Sequence, residues 1–110
     1  MRLQGRVASV TGAGRGMGEQ IARAFVREGA KVVVSDMDLE AAEGVAASLG
    51  EAAAALRVDV REEADAEALA QAALQRFGRL DILVNNAGIS QNKTFLKTTK
   101  ADMEGILAVN

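Results

Sequence analysis

The chain has 110 residues, a formal net charge of −2, 49% hydrophobic residues and 25% charged residues. This length and composition predict one small globular domain with a single core. The slightly acidic balance supplies no basic surface for nucleic acid or an anionic membrane. The sequence contains no Cys, His, Tyr or Trp. It therefore excludes a disulfide framework, Cys- or His-based metal sites and Ser-His-Asp catalysis within the chain.

No hydrophobic run in the sequence approaches the ~20 residues that a membrane-spanning helix requires. The apolar stretch at residues 7–10 is also too short for the hydrophobic segment of a secretory signal. We therefore expect no nucleic-acid partner, no membrane partner and a cytoplasmic location.

Four short apolar runs predict β-strands at residues 7–10, 31–35, 54–58 and 80–84. The second and fourth runs are continuous and partly β-branched, which is typical of strands covered on both faces. The third run also favours a helix, but Gly50 ends the pattern before it and the alternation of elements requires a strand there. Three helices are predicted between the runs, with apolar positions at Met17, Ile21, Ala24 and Phe25, then Ala42, Val45, Ala46 and Leu49, then Ala66, Leu69, Ala70, Ala73, Leu74 and Phe77.

This alternation of strands and helices predicts a parallel sheet with helices on both faces and right-handed crossovers. The predicted fold class is a doubly wound (Rossmann) α/β fold that occupies residues 1–110 as one unit. A loop and the start of a further helix near Ala101 are expected after the fourth strand.

A glycine-rich segment, residues 11–18 (TGAGRGMG), lies where the first strand is followed by the first helix. Glycine permits backbone angles closed to other residues and allows a phosphate to approach the main chain. The helix that follows would offer unpaired N–H groups and its positive dipole end to a pyrophosphate. A tight turn without a ligand is the alternative interpretation. A Walker A loop is excluded because no Gly-Lys-Ser/Thr follows the glycines.

Asp36 follows the second strand, where a carboxylate can accept hydrogen bonds from both hydroxyls of an adenosine ribose. The same charge would repel a 2′-phosphate, so NAD is favoured over NADP as the cofactor. A solvated acid or a helix N-cap is the alternative role, although Asp38 is better placed for capping. Arg15 complicates this assignment, because its guanidinium could bind a phosphate near the ribose or could pair with Asp36.

Further motifs follow in chain order. Asp59 and Val60 come after the third strand, and residues 85–88 (NNAG) come after the fourth. Asp59 could accept from an adenine amino group or cap the next helix, and the paired amides could act as a clamp between strands. Together with the TGxxxGxG turn and with residues 101–110, these motifs resemble the short-chain dehydrogenase/reductase family. The resemblance covers the chain from Arg6 to its last residue and implies a strand order of 3-2-1-4.

The resemblance also implies a set of site residues, a cofactor and partners. The cofactor is a nicotinamide dinucleotide, with NAD favoured over NADP, and the substrate of the full-length parent is an alcohol or a ketone. The parent is also expected to form a homo-oligomer. The residues implied for cofactor binding are Gly12, Arg15, Gly16, Met17, Gly18, Asp36, Met37, Asp59, Val60, Asn86, Ala87 and Gly88, and the residue implied for catalysis is Asn110.

The family's hydride transfer uses a Tyr as general acid/base, a Lys that lowers the pKa of that Tyr, a Ser and an Asn. This sequence has no Tyr, and of this set it retains only Asn110, its last residue. The chain is therefore expected to be the cofactor-binding half of an oxidoreductase, inactive without the catalytic half. The fourth strand would then be an unpaired hydrophobic edge, which predicts dimerisation or aggregation through residues 80–84.

Two other function classes fit part of the pattern. A methyltransferase that binds S-adenosylmethionine also has a glycine-rich turn after its first strand and an acid after its second. The NNAG segment and the spacing of the glycines disfavour that class. A non-enzymatic nucleotide-binding or oligomerisation module would need neither Tyr nor Lys. The dehydrogenase fragment is the leading hypothesis, and the sequence leaves its substrate open.

Overall fold

The computed structural model describes residues 2–59, 63–86 and 107–109, with side chains described for all of these except 63–66 and 107–109. The strands begin and end within two residues of the positions predicted from the sequence, as expected where element ends fray. In chain order the elements are β1 (Val7–Val10), α1 (Gly16–Arg27), β2 (Lys31–Asp36), α2 (Leu39–Leu49), a 3-10 turn (Gly50–Ala52), β3 (Ala53–Arg57), α3 (Glu63–Phe77), β4 (Ile82–Val84) and β5 (Leu107–Val109).

The strands form one parallel sheet in the order β3-β2-β1-β4-β5. β1 is central, with Ala8 aligned with Val32 of β2 on one side and with Ile82 of β4 on the other. The predicted doubly wound fold and the predicted order of the first four strands are therefore confirmed. This order brings the carboxyl ends of β1, β2 and β4 to one edge of the sheet.

The outer edge of β4 is covered by β5, with Leu83 aligned with Ala108. The prediction that the fourth strand is an open edge that drives dimerisation is therefore wrong. The predicted helix start near Ala101 lies outside the described residues, but residues 107–109 form a strand and not part of that helix. The physical reason is that an open edge of β4 would leave N–H and C=O groups unpaired, and the apolar segment 107–109 pairs with them within the chain.

The two faces of the sheet bury different helices, because successive side chains of a strand point to opposite sides. On one face, Val10 and Val34 pack in a cluster with Ala22 of α1 and Val45 of α2. On the other face, Val33 packs in a cluster with buried residues of α3. The helices therefore cover both sides of the sheet, as the strand–helix alternation predicted.

Two apolar positions assigned to helix faces from their spacing lie outside the core. Met17 of α1 is 62% exposed and Leu74 of α3 is 46% exposed. The buried residues of α1 are Gly18 and Ala22 and not Met17, because residues this small let the helix approach the sheet closely. Met17 lies in the first turn of α1, beside the loop that follows β1, and its side chain is exposed there.

Candidate functional site

The loops that follow β1, β2 and β4 meet at the carboxyl edge of the sheet, where open α/β sheets bind ligands. Hydrogen bonds join these loops to each other. The Ala13 N–H donates to the Ser35 carbonyl at 2.8 Å, and the Thr11 N–H donates to the Val84 carbonyl at 3.1 Å. Three loops that are far apart in sequence therefore form one continuous surface.

The loop between β1 and α1 requires glycine at specific positions. Gly12 (φ 62°) and Gly16 (φ 63°) have left-handed backbone conformations, which other residues adopt only with strain. Gly18 is required for close packing, because a Cβ there would overlap the Gly12 carbonyl oxygen and lie 2.7 Å from the Asn86 side-chain nitrogen. That nitrogen donates to the same Gly12 carbonyl at 3.2 Å. The predicted residues Gly12, Gly18 and Asn86 are thus in direct contact.

The first turn of α1 begins in this loop. Arg15 occupies the N-cap position with an extended backbone (φ −165°), and its side chain makes no capping hydrogen bond. The first N–H groups of a helix have no intrahelical partners and lie at the positive end of the helix dipole. A Cβ built on Gly16 would meet nothing within 4 Å, so the space beside this turn is open. The turn is therefore suited to bind a phosphate or another anion.

Asp36, the last residue of β2, has both carboxylate oxygens oriented by backbone donors. Its Oδ2 accepts the Gly14 N–H at 2.9 Å, and its Oδ1 accepts the Asp38 N–H at 3.0 Å. A side chain on Gly14 would collide with this carboxylate, since its Cβ would lie 2.9 Å from Oδ2. Asp36 remains partly exposed and retains lone pairs for a ligand's hydroxyl groups. The glycine loop and the acid are therefore one hydrogen-bonded unit.

Arg15 pairs with Asp38 and not with Asp36. Its Nη2 lies 2.6 Å from the Asp38 Oδ2, and both side chains are exposed. Asp38 also caps α2, as the sequence predicted, because its Oδ1 accepts the Ala41 N–H at 3.2 Å. The Ala41 N–H and then the Arg15 guanidinium hold the pKa of Asp38 below its usual value. Asp36 therefore does not pair with Arg15, and its carboxylate is available to accept hydrogen bonds from the glycine loop and from a ligand.

Asp59 and Asn85 are buried at the ends of β3 and β4, and both make polar interactions. The Thr11 hydroxyl donates to the Val84 carbonyl at 3.3 Å and lies 3.4 Å from the Asn85 Oδ1. The alternative role considered for the paired amides was a clamp between strands, and this contact of Asn85 links the ends of β1 and β4. Four predicted site residues lie outside the described part of the chain: Val60, Ala87, Gly88 and Asn110.

Exposed apolar side chains flank the polar groups. Met17 stands in the first turn of α1, and Met37 and Leu39 follow β2, all three being exposed. Methionine is polarisable and adaptable, which suits contact with an aromatic ring of a ligand. The structure therefore leaves the predicted residues Met17 and Met37 available to a ligand.

Gly14 and Asp38 belong to this site but were not among the predicted cofactor residues. Both orient the carboxylate of Asp36 through their N–H groups. A signal for Asp38 was present in the sequence, because an Asp that accepts the N–H two residues further on is a common turn pattern. Gly14 lies within the glycine-rich segment, but only the fold brings it to Asp36.

No metal cluster or membrane helix accompanies these groups in the part of the chain that the structure describes. Within residues 2–59, 63–86 and 107–109, no group of three or more acids, His or Cys is placed to hold a metal ion. The helices of those segments are all too short or too polar to cross a membrane.

Comparison with known proteins identifies close relatives of the whole chain. Sorbitol dehydrogenase of Cereibacter sphaeroides is 41% identical over 110 residues, which cover 100% of this chain and 43% of the relative. Galactitol 2-dehydrogenase of Agrobacterium fabrum is 42% identical, with the same coverage of 100% and 43%. The chain therefore spans less than half the length of these relatives.

Solved structures show the same fold at high sequence identity. The crystal structure of 3-ketoacyl-(acyl-carrier-protein) reductase from Brucella melitensis, complexed with NADH, has a TM-score of 0.72 and 51% identity and is matched over 74% of this chain and 34% of its own. Hydroxysteroid dehydrogenase from Escherichia coli has a TM-score of 0.73 and 44% identity, with coverage of 76% and 37%.

The family model for short chain dehydrogenases matches residues 6–110. This match decides between the classes considered from the sequence, because none of these comparisons supports a methyltransferase or a non-enzymatic module. The family match covers nearly the whole chain. It agrees with two features of the structure, the glycine loop that packs on Asn86 and the oriented carboxylate of Asp36 at the end of β2. The chain belongs to the short-chain dehydrogenase family.

Proposed function

We propose that residues 1–110 are the dinucleotide-binding portion of an NAD-dependent oxidoreductase whose substrate is an alcohol or a ketone. The observation that carries the proposal is the pairing of Asp36 with the glycine loop, through the Gly14 N–H at 2.9 Å. This contact joins an anion-binding helix start to an acceptor for ribose hydroxyls, and a dinucleotide carries both groups. The relative complexed with NADH and the sugar-alcohol dehydrogenases among the relatives support a nicotinamide dinucleotide and this substrate class.

Most of the predicted site residues receive a specific role in this proposal. The pyrophosphate lies against the first turn of α1, beside Gly16 and Met17, and Asp36 accepts the adenosine ribose hydroxyls. We assign Met37, Asp59 and Val60 to contacts with the adenine, and Asn86, Ala87 and Gly88 to contacts on the nicotinamide side. The bound dinucleotide supplies the hydride acceptor or donor, and the residues of this chain bind and orient it. Asn110 is assigned to the catalytic set by the family resemblance, and the Tyr, Lys and Ser of that set belong to a segment beyond this chain.

NAD is the proposed form of the cofactor because of the charge at the ribose. The carboxylate of Asp36 would accept two hydroxyls of NAD but would repel the 2′-phosphate of NADP. Its orientation by two backbone N–H groups keeps that charge at the end of β2 in the absence of a ligand. Asp36 is therefore the main determinant of selectivity in this proposal.

A fluorescence titration of NADH into the 110-residue chain tests the proposed function, with NADPH in parallel. The chain contains no Trp, so the cofactor signal has no indole background. We expect saturable NADH binding that Asp36→Asn weakens by about ten- to hundred-fold, because a hydrogen bond to a charged group contributes ~1.5–3 kcal/mol. The amide of this variant still accepts the N–H of Gly14, which Asp36→Ala would leave unpaired.

Glu43→Gln is the matched control, since it removes the same charge from an exposed position on α2. It should leave the NADH affinity unchanged. A chain that is folded by circular dichroism but shows no saturable NADH signal would contradict the proposal.

We also propose that the parent protein forms a homo-oligomer in the cytoplasm, where a pool of nicotinamide dinucleotides is available. This proposal rests on the resemblance to the family, and the exposed apolar side chain of Leu74 on α3 is the candidate contact that is tested. Sedimentation velocity of the native chain and of Leu74→Glu tests this, with self-association expected only in the native chain. A native chain that sediments as a monomer at all concentrations would contradict the proposed oligomer. Recovery of the parent protein outside the cytoplasmic fraction would contradict the proposed location.

A further inference from the structure

We propose that Asp38 is a positioning residue for cofactor selectivity, because it engages Arg15 and so withholds that guanidinium from a 2′-phosphate. This inference rests on the proposed function and adds a second device to the charge of Asp36. It concerns NADP, the form of the cofactor that the site is proposed to disfavour.

Hydrogen bonds connect three residues, Arg15, Asp38 and Asp36, in one group. The Nη2 of Arg15 lies 2.6 Å from the Oδ2 of Asp38, while the N–H of Asp38 donates to the Asp36 Oδ1 at 3.0 Å. Arg15 also follows Gly14, whose N–H donates to the other oxygen of Asp36. The guanidinium of Arg15 is therefore already paired with Asp38. It is held close in the chain to Asp36, the proposed acceptor of the ribose hydroxyls.

The side chain of Asp38 is oriented by the start of α2, which keeps its second oxygen available to Arg15. Its Oδ1 accepts the Ala41 N–H, which caps the helix. Its Oδ2 accepts a hydrogen bond from the Arg15 Nη2. The pair with Asp38 uses the Nη2 donor of Arg15 and offsets its positive charge, so the guanidinium has to leave this carboxylate before its full charge and all of its donors can reach a phosphate. Binding of NADPH therefore carries the added cost of breaking the Arg15–Asp38 pair, and binding of NADH does not.

The test measures the affinities for NADH and NADPH in a double-mutant cycle on the 110-residue chain, with Asp38→Asn, Arg15→Gln and both together. Asn is as good an N-cap as Asp, so Asp38→Asn keeps the cap and removes the ion pair. Asp38→Ser is a second variant that also caps the helix. Circular dichroism checks that each variant is folded, and Glu43→Gln controls for the loss of one negative charge.

We expect Asp38→Asn to raise the NADPH affinity about two- to five-fold relative to NADH, the range that the strength of an exposed ion pair allows. This gain should disappear in the Arg15→Gln background and should shrink as the salt concentration rises. Glu43→Gln should not change the ratio of the two affinities.

Three results would overturn the inference, and each has a separate meaning. An equal gain in the Arg15→Gln background would show that Asp38 acts through its own charge and not through Arg15. No gain in either Asp38 variant, with NADH binding intact, would reject the role of the pair and leave the proposed function standing. A folded native chain that binds neither dinucleotide would reject the proposed function and this inference with it.

Discussion

Gly18 and Gly44 show that the same residue type has opposite roles at two positions of this chain. A Cβ on Gly18 would overlap the Gly12 carbonyl oxygen and press on the Asn86 amide, whereas a Cβ on Gly44 would meet nothing within 4 Å. Gly44 lies within α2, where glycine is a poor helix former. The steric environment of each position, and not glycine content, decides the effect of a substitution.

We expect Gly18→Ala to lower the free energy of unfolding by ~1–3 kcal/mol, because the added methyl overpacks the contact between α1 and the loops. The same change should abolish NADH binding, since it displaces the turn proposed to hold the pyrophosphate. Gly44→Ala should raise the free energy of unfolding by ~0.5–1 kcal/mol and leave NADH binding unchanged. Urea denaturation and the fluorescence titration measure both effects. Equal changes in the two variants would contradict this account.

At the scale of elements, Asp81 joins the amino ends of β1 and β4, at the edge of the sheet opposite the site. Its side chain is 4% exposed and accepts the Val7 N–H at 2.9 Å. The Arg79 guanidinium donates to its two oxygens at 2.8 and 2.6 Å, and Arg6 lies 3.8 Å away. Burial raises the pKa of Asp81, but these hydrogen bonds and positive charges outweigh it and hold the pKa below 3.8.

Because the pKa of Asp81 is depressed in the folded chain, its carboxylate stabilises the fold above pH 3.8. That contribution is lost as the pH falls below this value. We expect Asp81→Asn to lower the free energy of unfolding by ~2 kcal/mol at pH 7. The difference from the native chain should shrink as the pH falls below 3.8. Urea denaturation at several pH values measures this, and a difference that stays constant with pH would contradict the assignment.

At the scale of the whole molecule, the pairing of β5 with β4 covers the edge of β4 that the sequence analysis expected to be unpaired. We expect a chain that ends at residue 106 to self-associate, because the N–H and C=O groups of the β4 edge would again be unpaired. Sedimentation velocity should show a larger dependence of mass on concentration for this shortened chain than for the native one. Identical sedimentation of the two chains would mean that β5 does not protect that edge.

Much of the architecture could be predicted because it follows from local patterns. Short apolar runs separated by amphipathic helices specify a parallel sheet, and the glycine-rich segment identifies the start of α1. Met17 and Leu74 show the limit of this reasoning, since periodicity reports which face of a helix is apolar but not how far that face extends over the sheet. The same limit applies to residues 107–109, whose pairing depends on a strand more than 20 positions earlier.

The sequence by itself determined the fold class, because the fold class depends on the kinds of residues and on their spacing along the chain. Its motifs also carried the resemblance to the family, and that resemblance implied the order of the first four strands. Only the tertiary structure decided that Arg15 pairs with Asp38, that Gly14 orients Asp36, and that β4 is not an edge. Ion pairs and hydrogen bonds depend on distances of a few ångströms through space. Such distances between residues far apart in the chain exist only once the sheet has brought its loops together.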